Sequence, residues 1–88
     1  MNLQTLANAT ITHIASNHTK LFIAGYRLLY SYDSLIVVIE PSGQALLGAD
    51  WKFSKTTSKF RSQFLNESTA ETEAKLASGE YKLLADQL

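Results

Sequence analysis

Apolar positions gather around one stretch, Leu28-Leu-Tyr-Ser-Tyr-Asp-Ser-Leu-Ile-Val-Val-Ile39, where only Ser31, Asp33 and Ser34 interrupt a run long enough for two strands. From Tyr26 the pattern alternates. Tyr26, Leu28, Tyr30 and Tyr32 fall on one face, and Arg27, Leu29, Ser31 and Asp33 on the other. This predicts a strand whose tyrosine face is the buried one and whose second face is wetter. Asp33-Ser34 predicts a tight turn, because short oxygen-bearing side chains bond to nearby backbone amides, and Leu35 to Glu40 predicts the returning strand. The consecutive apolar residues from Leu35 to Ile39 imply burial on both faces and a central place in a sheet.

Upstream, Leu3, Leu6, Ala7, Ile11, Ile14 and Ala15 are spaced by threes and fours where one helical stripe would place them, while Thr5, Thr10 and Thr12 favour strand. A helix is expected over about residues 2–8, and Ile11 to Ser16 fits either its continuation or a first strand. Asn17-His-Thr-Lys20 reads as a turn, Leu21-Phe-Ile-Ala24 as a strand, and Gly25 as a turn or bulge.

Downstream, Pro41-Ser-Gly43 is the strongest turn signal, followed by a short antiparallel partner over Gln44 to Leu47 and a break at Gly48-Ala-Asp50. Trp51-Lys-Phe53 predicts a brief strand with both rings on one face. A helix should follow, capped by Thr56 or Thr57, with Phe60, Phe64 and Leu65 as its apolar stripe against the central strand. Ser68-Thr-Ala-Glu71 is a capping-box pattern opening a helix to about Ser78, and Gly79 sits where a left-handed cap belongs. Tyr81, Leu83 and Leu84 are expected to pack back. The predicted architecture is α+β: a small three- or four-stranded antiparallel β-meander with helices packed mainly on one face, in a single domain of 88 residues.

Composition narrows the classes of function. The chain has no cysteine, which excludes a disulfide framework, a thiolate nucleophile and a cysteine-based zinc site. The first ten residues lack the charge and apolar run of an export signal, and no run approaches the ~20 apolar residues of a membrane helix, so a cytoplasmic protein without a membrane partner is expected. Net charge is zero, against a general nucleic-acid binder. The charges are unevenly spread, however. Lys52, Lys55, Lys59 and Arg61 stand together without an acid among them, and Glu67, Glu71 and Glu73 follow without a base.

From Tyr30 to Leu65 the chain carries Ser31-Tyr-Asp-Ser34, the strand Leu35 to Ile39, the aromatic pair Trp51 and Phe53, Ser54-Lys-Thr-Thr-Ser58 with Lys59, and Phe64-Leu65. This order resembles a family of small phage- or prophage-encoded proteins that share an uncharacterised domain. Members often have His where this chain has Phe60, so any chemistry of that histidine is missing here. The resemblance implies no reaction. It implies provenance, a virus or mobile element acting inside a bacterial host cell.

No catalytic constellation emerges from the sequence. His13 and His18, five residues apart, do not share a helical face at ligand spacing, and they read as exposed or locally bonded. Ser31, Ser34, Ser54 and Ser58 lack a neighbouring base in the sequence and read as turn and cap residues, as do Asp33 and Asp50. No metal or cofactor is expected. The candidate working surface is Trp51, Lys52, Lys55, Lys59 and Arg61 at a helix N-terminus, with Glu67, Glu71, Glu73 and Glu80 as an acidic alternative suited to a basic groove. Two functions follow. The first is binding of a host protein or ribonucleoprotein, for example as an inhibitor of a defence system (an anti-CRISPR). The second, less favoured, is a nucleic-acid-binding accessory or regulatory protein.

Overall fold

The computed structural model describes residues 9–87. The helix expected over residues 2–8 lies outside the described residues. Six strands form one sheet in sequence order: β1 (Thr10–Ala15), β2 (His18–Ile23), β3 (Tyr26–Ser31), β4 (Ser34–Ile39), β5 (Ala45–Leu47) and β6 (Lys82–Leu83). β1 to β5 are an antiparallel meander, and β6 joins β5 in parallel. Two helices, α1 (Lys55–Leu65) and α2 (Thr69–Ser78), lie between β5 and β6 in sequence, and a 3-10 turn covers Leu84–Gln87. The fold is therefore α+β, with more strands than the three or four expected. Ile11 to Ala15 resolves as strand, consistent with its β-branched residues, and β6 is too short to leave a periodic signal.

The hairpins are tight, and their turns sit slightly earlier than the sequence suggested. Ser16-Asn17 joins β1 to β2 with Asn17 at φ 61°, so His18 to Lys20 belongs to a strand rather than to a turn. Ala24 and Gly25, at φ 53° and 83°, form the next turn, whose two positive φ values match the twist of the flanking strands. The β3–β4 turn is Tyr32-Asp33, with Tyr32 at φ 55°.

The buried face of β3 is the reverse of the predicted one. Leu29 and Ser31 are buried, whereas Tyr26 and Tyr32 are exposed. Cross-strand pairs explain the inversion. Lys20, Leu29, Val37 and Leu47 form one transverse row, and Leu29, Val37, Ile39, Ala45 and Leu47 share a cluster with Phe64 and Leu65 of α1 and Leu76 of α2. The helices thus cover the Leu29 face, and Leu21, Leu28, Val38 and Leu46 form the row on the other.

Two register shifts sharpen this division. Leu29 pairs with Val37 but Tyr30 with Leu35, leaving Ile36 as an extra residue, and Ile14 is similarly extra between His13 and Ala15. A bulge turns its two residues toward the same side. Ile36 and Val37 accordingly both enter the core cluster, and Ile14 packs against it. Burying a side chain of this size contributes about 1.5–3 kcal/mol. Gly48 completes the joint by donating its N–H to Ile36 O at 2.8 Å.

The helix ends follow local rules, with one shift. α1 is capped by Ser54, not by Thr56 or Thr57: extended at φ −148°, Ser54 accepts from the Thr57 amide through its hydroxyl. The capping box Ser68–Glu71 and the left-handed cap Gly79 of α2 occur where expected. Trp51-Lys-Phe53 is not a strand. Trp51 N–H donates to Gly48 O and Phe53 N–H to Asp50 O, so successive turns send Trp51 toward the core and leave Phe53 exposed.

Candidate functional site

The basic and acidic residues singled out in the sequence divide into structural and surface groups. Arg61 is 0% exposed. Its guanidinium donates to Trp51 O at 2.8 Å, to Ser62 Oγ at 3.2 Å and to Thr69 Oγ1, and lies 4.9 Å from the Trp51 ring centroid. Burial pushes its pKa down, with Glu67 and Glu73 opposing that shift. Arg61 therefore ties the β5–α1 connection to both helices and is unavailable to a ligand.

Lys52 is exposed and pairs with Glu73 at 2.6 Å, which holds the Glu73 carboxyl below its ordinary range. Glu71 is engaged in the capping box. Glu67 Oε1 accepts from Lys75 Nζ at 2.8 Å and from Tyr81 Oη at 2.6 Å, while Oε2 accepts from Thr72 Oγ1 at 2.6 Å. It locks the α1–α2 junction to the C-terminal segment. Of the four nominated bases, Lys55 and Lys59 alone are exposed and without an ion pair among the described residues.

A different group of residues comes together at the start of α1. His18, on β2, is 2% exposed and faces Ser31 directly across the β2–β3 pair. Of the two expected alternatives, exposed or locally bonded, His18 takes the second, and it is buried as well. His18 Nδ1 lies 2.8 Å from Ser16 O, a carbonyl that can only accept, so Nδ1 carries the proton. In the neutral ring Nε2 is then the acceptor, and Ser31 Oγ, 3.1 Å away, donates to it. Thr57 Oγ1 donates to Ser31 Oγ at 3.0 Å, and Ser54 Oγ donates to Thr57 Oγ1 at 3.2 Å. One directed chain of hydroxyls thus runs from the α1 cap to the histidine.

Ser31, His18 and the Ser16 carbonyl have the order of a nucleophile, a base and an orienting acceptor, an arrangement the sequence did not reveal. Its access is poor: Ser31 is 4% exposed and already accepts from Thr57. Ring packing also closes the histidine, with Phe60 at 4.6 Å and Tyr32 at 5.9 Å between centroids. His13 points elsewhere, bonding Thr19 at 3.0 Å, and no group of three metal-ligating side chains occurs among the described residues.

Above this chain opens a cleft of about 310 Å³ between the β3–β4 turn and the start of α1. Ser31, Thr57 and Ile36 line its floor, and Ser34 and Asp50 are on its wall, with Ser34 Oγ donating to Asp50 Oδ2 at 2.8 Å. Tyr32 and Phe53 also line it, at 63% and 71% exposure. Of the nominated residues none lines this cleft.

A family model matches residues 1–80, that of a family of unknown function, DUF8033. The chain belongs to this family. The matched span contains β1 to β5, both helices and every residue lining the cleft, while β6 lies beyond it. No curated protein and no solved structure matches the chain. In this DUF8033 member no helix among the described residues is long and apolar enough to cross a membrane.

Proposed function

We propose that this protein acts by binding a host protein or ribonucleoprotein, not by catalysis, and that the cleft between the β3–β4 turn and α1 is its contact surface. The observation that carries this reading is the placement of Tyr32 and Phe53. They are the two most exposed large hydrophobic side chains among the described residues, and both border one cleft. Exposed aromatic rings around a pocket are the usual anchors of protein interfaces. Tyr32 is also held at φ 55°, a conformation that costs a non-glycine residue about 1–2 kcal/mol. Strain of this kind gathers at functional sites.

The resemblance over Tyr30 to Leu65 supports a narrower form, a phage or mobile-element protein that inhibits a host defence system, an anti-CRISPR being one example. The second reading, nucleic-acid binding, has Lys55 and Lys59 beside the aromatic residues in its favour. It is weakened by the burial of Arg61 and the pairing of Lys52 with Glu73.

A gel-shift titration at ~0.15 M salt with single- and double-stranded probes separates the two. The protein-binding reading expects no sub-micromolar shift. Such a shift, lost on Lys55→Ala/Lys59→Ala, would give precedence to nucleic acid.

A further inference from the structure

Resting on that reading of the cleft, we infer that the group it receives from the partner is a basic side chain, an arginine guanidinium in particular. The first reason is the direction of the hydrogen bonds. With the His18 ring neutral, Ser31 donates to His18 and Thr57 donates to Ser31, and on the cleft wall Ser34 donates to Asp50. Apart from the Tyr32 phenol, every hydroxyl proton lining the cleft is already committed to a protein acceptor. Beyond that phenol, the cleft offers a polar ligand acceptors and no free donor.

The second reason is charge. Asp50 is the one charged residue lining the cleft, and it belongs to no ion pair among the described residues. The N-terminus of α1 opens nearby and carries the equivalent of roughly half a positive charge, of which the Thr57 amide is directed to Ser54. The full charge of the Asp50 carboxylate outweighs it.

The third reason is the pair of aromatic walls. Cations bind over ring faces, and a guanidinium does so best, since it is planar, weakly hydrated and presents five N–H donors in one plane. A carboxylate beside exposed rings suits this group better than a compact, strongly hydrated ammonium. The protein makes the same kind of contact internally, with Arg61 over Trp51.

Three capped tripeptides, Gly-Arg-Gly, Gly-Lys-Gly and the neutral isostere Gly-citrulline-Gly, test this by NMR titration of the full chain. The arginine peptide should give saturable shifts at Tyr32, Asp50 and Phe53. The lysine peptide should bind more weakly than the arginine peptide, equal binding overturning the preference for a guanidinium, and the citrulline peptide at least about fivefold more weakly, as should the arginine peptide with Asp50→Asn. Asn keeps an acceptor for Ser34, so this variant should fold normally. Equal binding of the citrulline peptide would overturn the charge assignment while leaving the cleft as a contact surface. Absence of shifts in the cleft would overturn the inference as well. The proposed function itself fails separately, if partner binding survives removal of both rings.

Discussion

His18 Nε2 and Ser31 Oγ lie 3.1 Å apart across adjacent strands, and with the imidazole neutral the proton between them belongs to the serine. The Ser16 carbonyl imposes this by claiming the proton on Nδ1. A hydroxyl so fixed can only accept from Thr57, which makes Ser31 the hinge between the sheet and the start of α1.

Ser31→Ala should therefore cost about 1–3 kcal/mol, since it strands a buried acceptor on His18 and a buried donor on Thr57. Thr57→Val should cost a similar amount, and the double variant less than the sum, because the two changes break one chain. Thermal melts of the three variants check this. Strict additivity would show that the hydroxyls act independently.

Gly48→Ala should destabilise severely. A Cβ at this position would stand 1.8 Å from the Leu35 carbonyl oxygen, which is backbone and cannot swing aside. A loss of about 3 kcal/mol or more is expected from such overpacking. A melt within a degree of the wild type would contradict the packing of the β5 end against the Ile36 bulge.

The Glu67 cluster sets a pH dependence. Burial raises the Glu67 pKa, but hydrogen bonds from Lys75, Thr72 and Tyr81 outweigh it and hold the group below the usual carboxylate range. A carboxylate with its folded pKa lowered contributes stability that is complete above about 4.3 and is lost as pH falls through the folded value. Lys75 is shifted up by its hydrogen bond to Glu67, and Tyr81 by burial and then by Glu67. Their contributions are complete below about 10 and are lost as pH rises through the folded values. Melting temperature should be level between these limits and fall on both sides. Glu67→Gln should lower the plateau and shallow the acid limb, and an unchanged acid limb would rule out this role.

Arg61 and Lys59 should separate sharply despite their closeness in sequence. Arg61→Ala removes a buried side chain and leaves Trp51 O without its donor, at about 2–5 kcal/mol. Lys59→Ala, at an exposed position, should stay within about 0.5 kcal/mol. Denaturant titration compares them, and equal effects would count against a structural role for Arg61.

The features legible in the sequence are those decided within a few residues. Ser68 and Glu71 form their capping box, Gly79 adopts its left-handed cap, and Leu35 to Ile39 lies inside the sheet, between β3 and β5. What escaped depends on partners far along the chain. The tyrosine face of β3 looked like core because aromatic residues usually are, yet the bulge at Ile36 and the row through Leu29 and Val37 put the helices on the other face. The burial of Arg61 depends on acceptors from Trp51, Ser62 and Thr69, and the pairing of His18 with Ser31 requires the hairpin register. The cleft was missed for the same reason. Tyr32, Asp50 and Phe53 meet only once the β3–β4 turn and α1 are in place, although the turn signal near Asp33 was visible.

The central claim, that Tyr32 and Phe53 frame the contact surface, is tested most directly by comparing the wild type with Tyr32→Gly/Phe53→Ala in affinity purification from a bacterial lysate, quantified by mass spectrometry. Glycine relieves the positive φ of Tyr32, which offsets its lost ring contact with His18, and Phe53 is exposed, so the double variant should still fold, with a melting temperature near that of the wild type. The account predicts that a partner retained by the wild type is lost from this stable variant and kept by Lys55→Ala/Lys59→Ala. Retention of the same partner by the variant lacking both rings would contradict it.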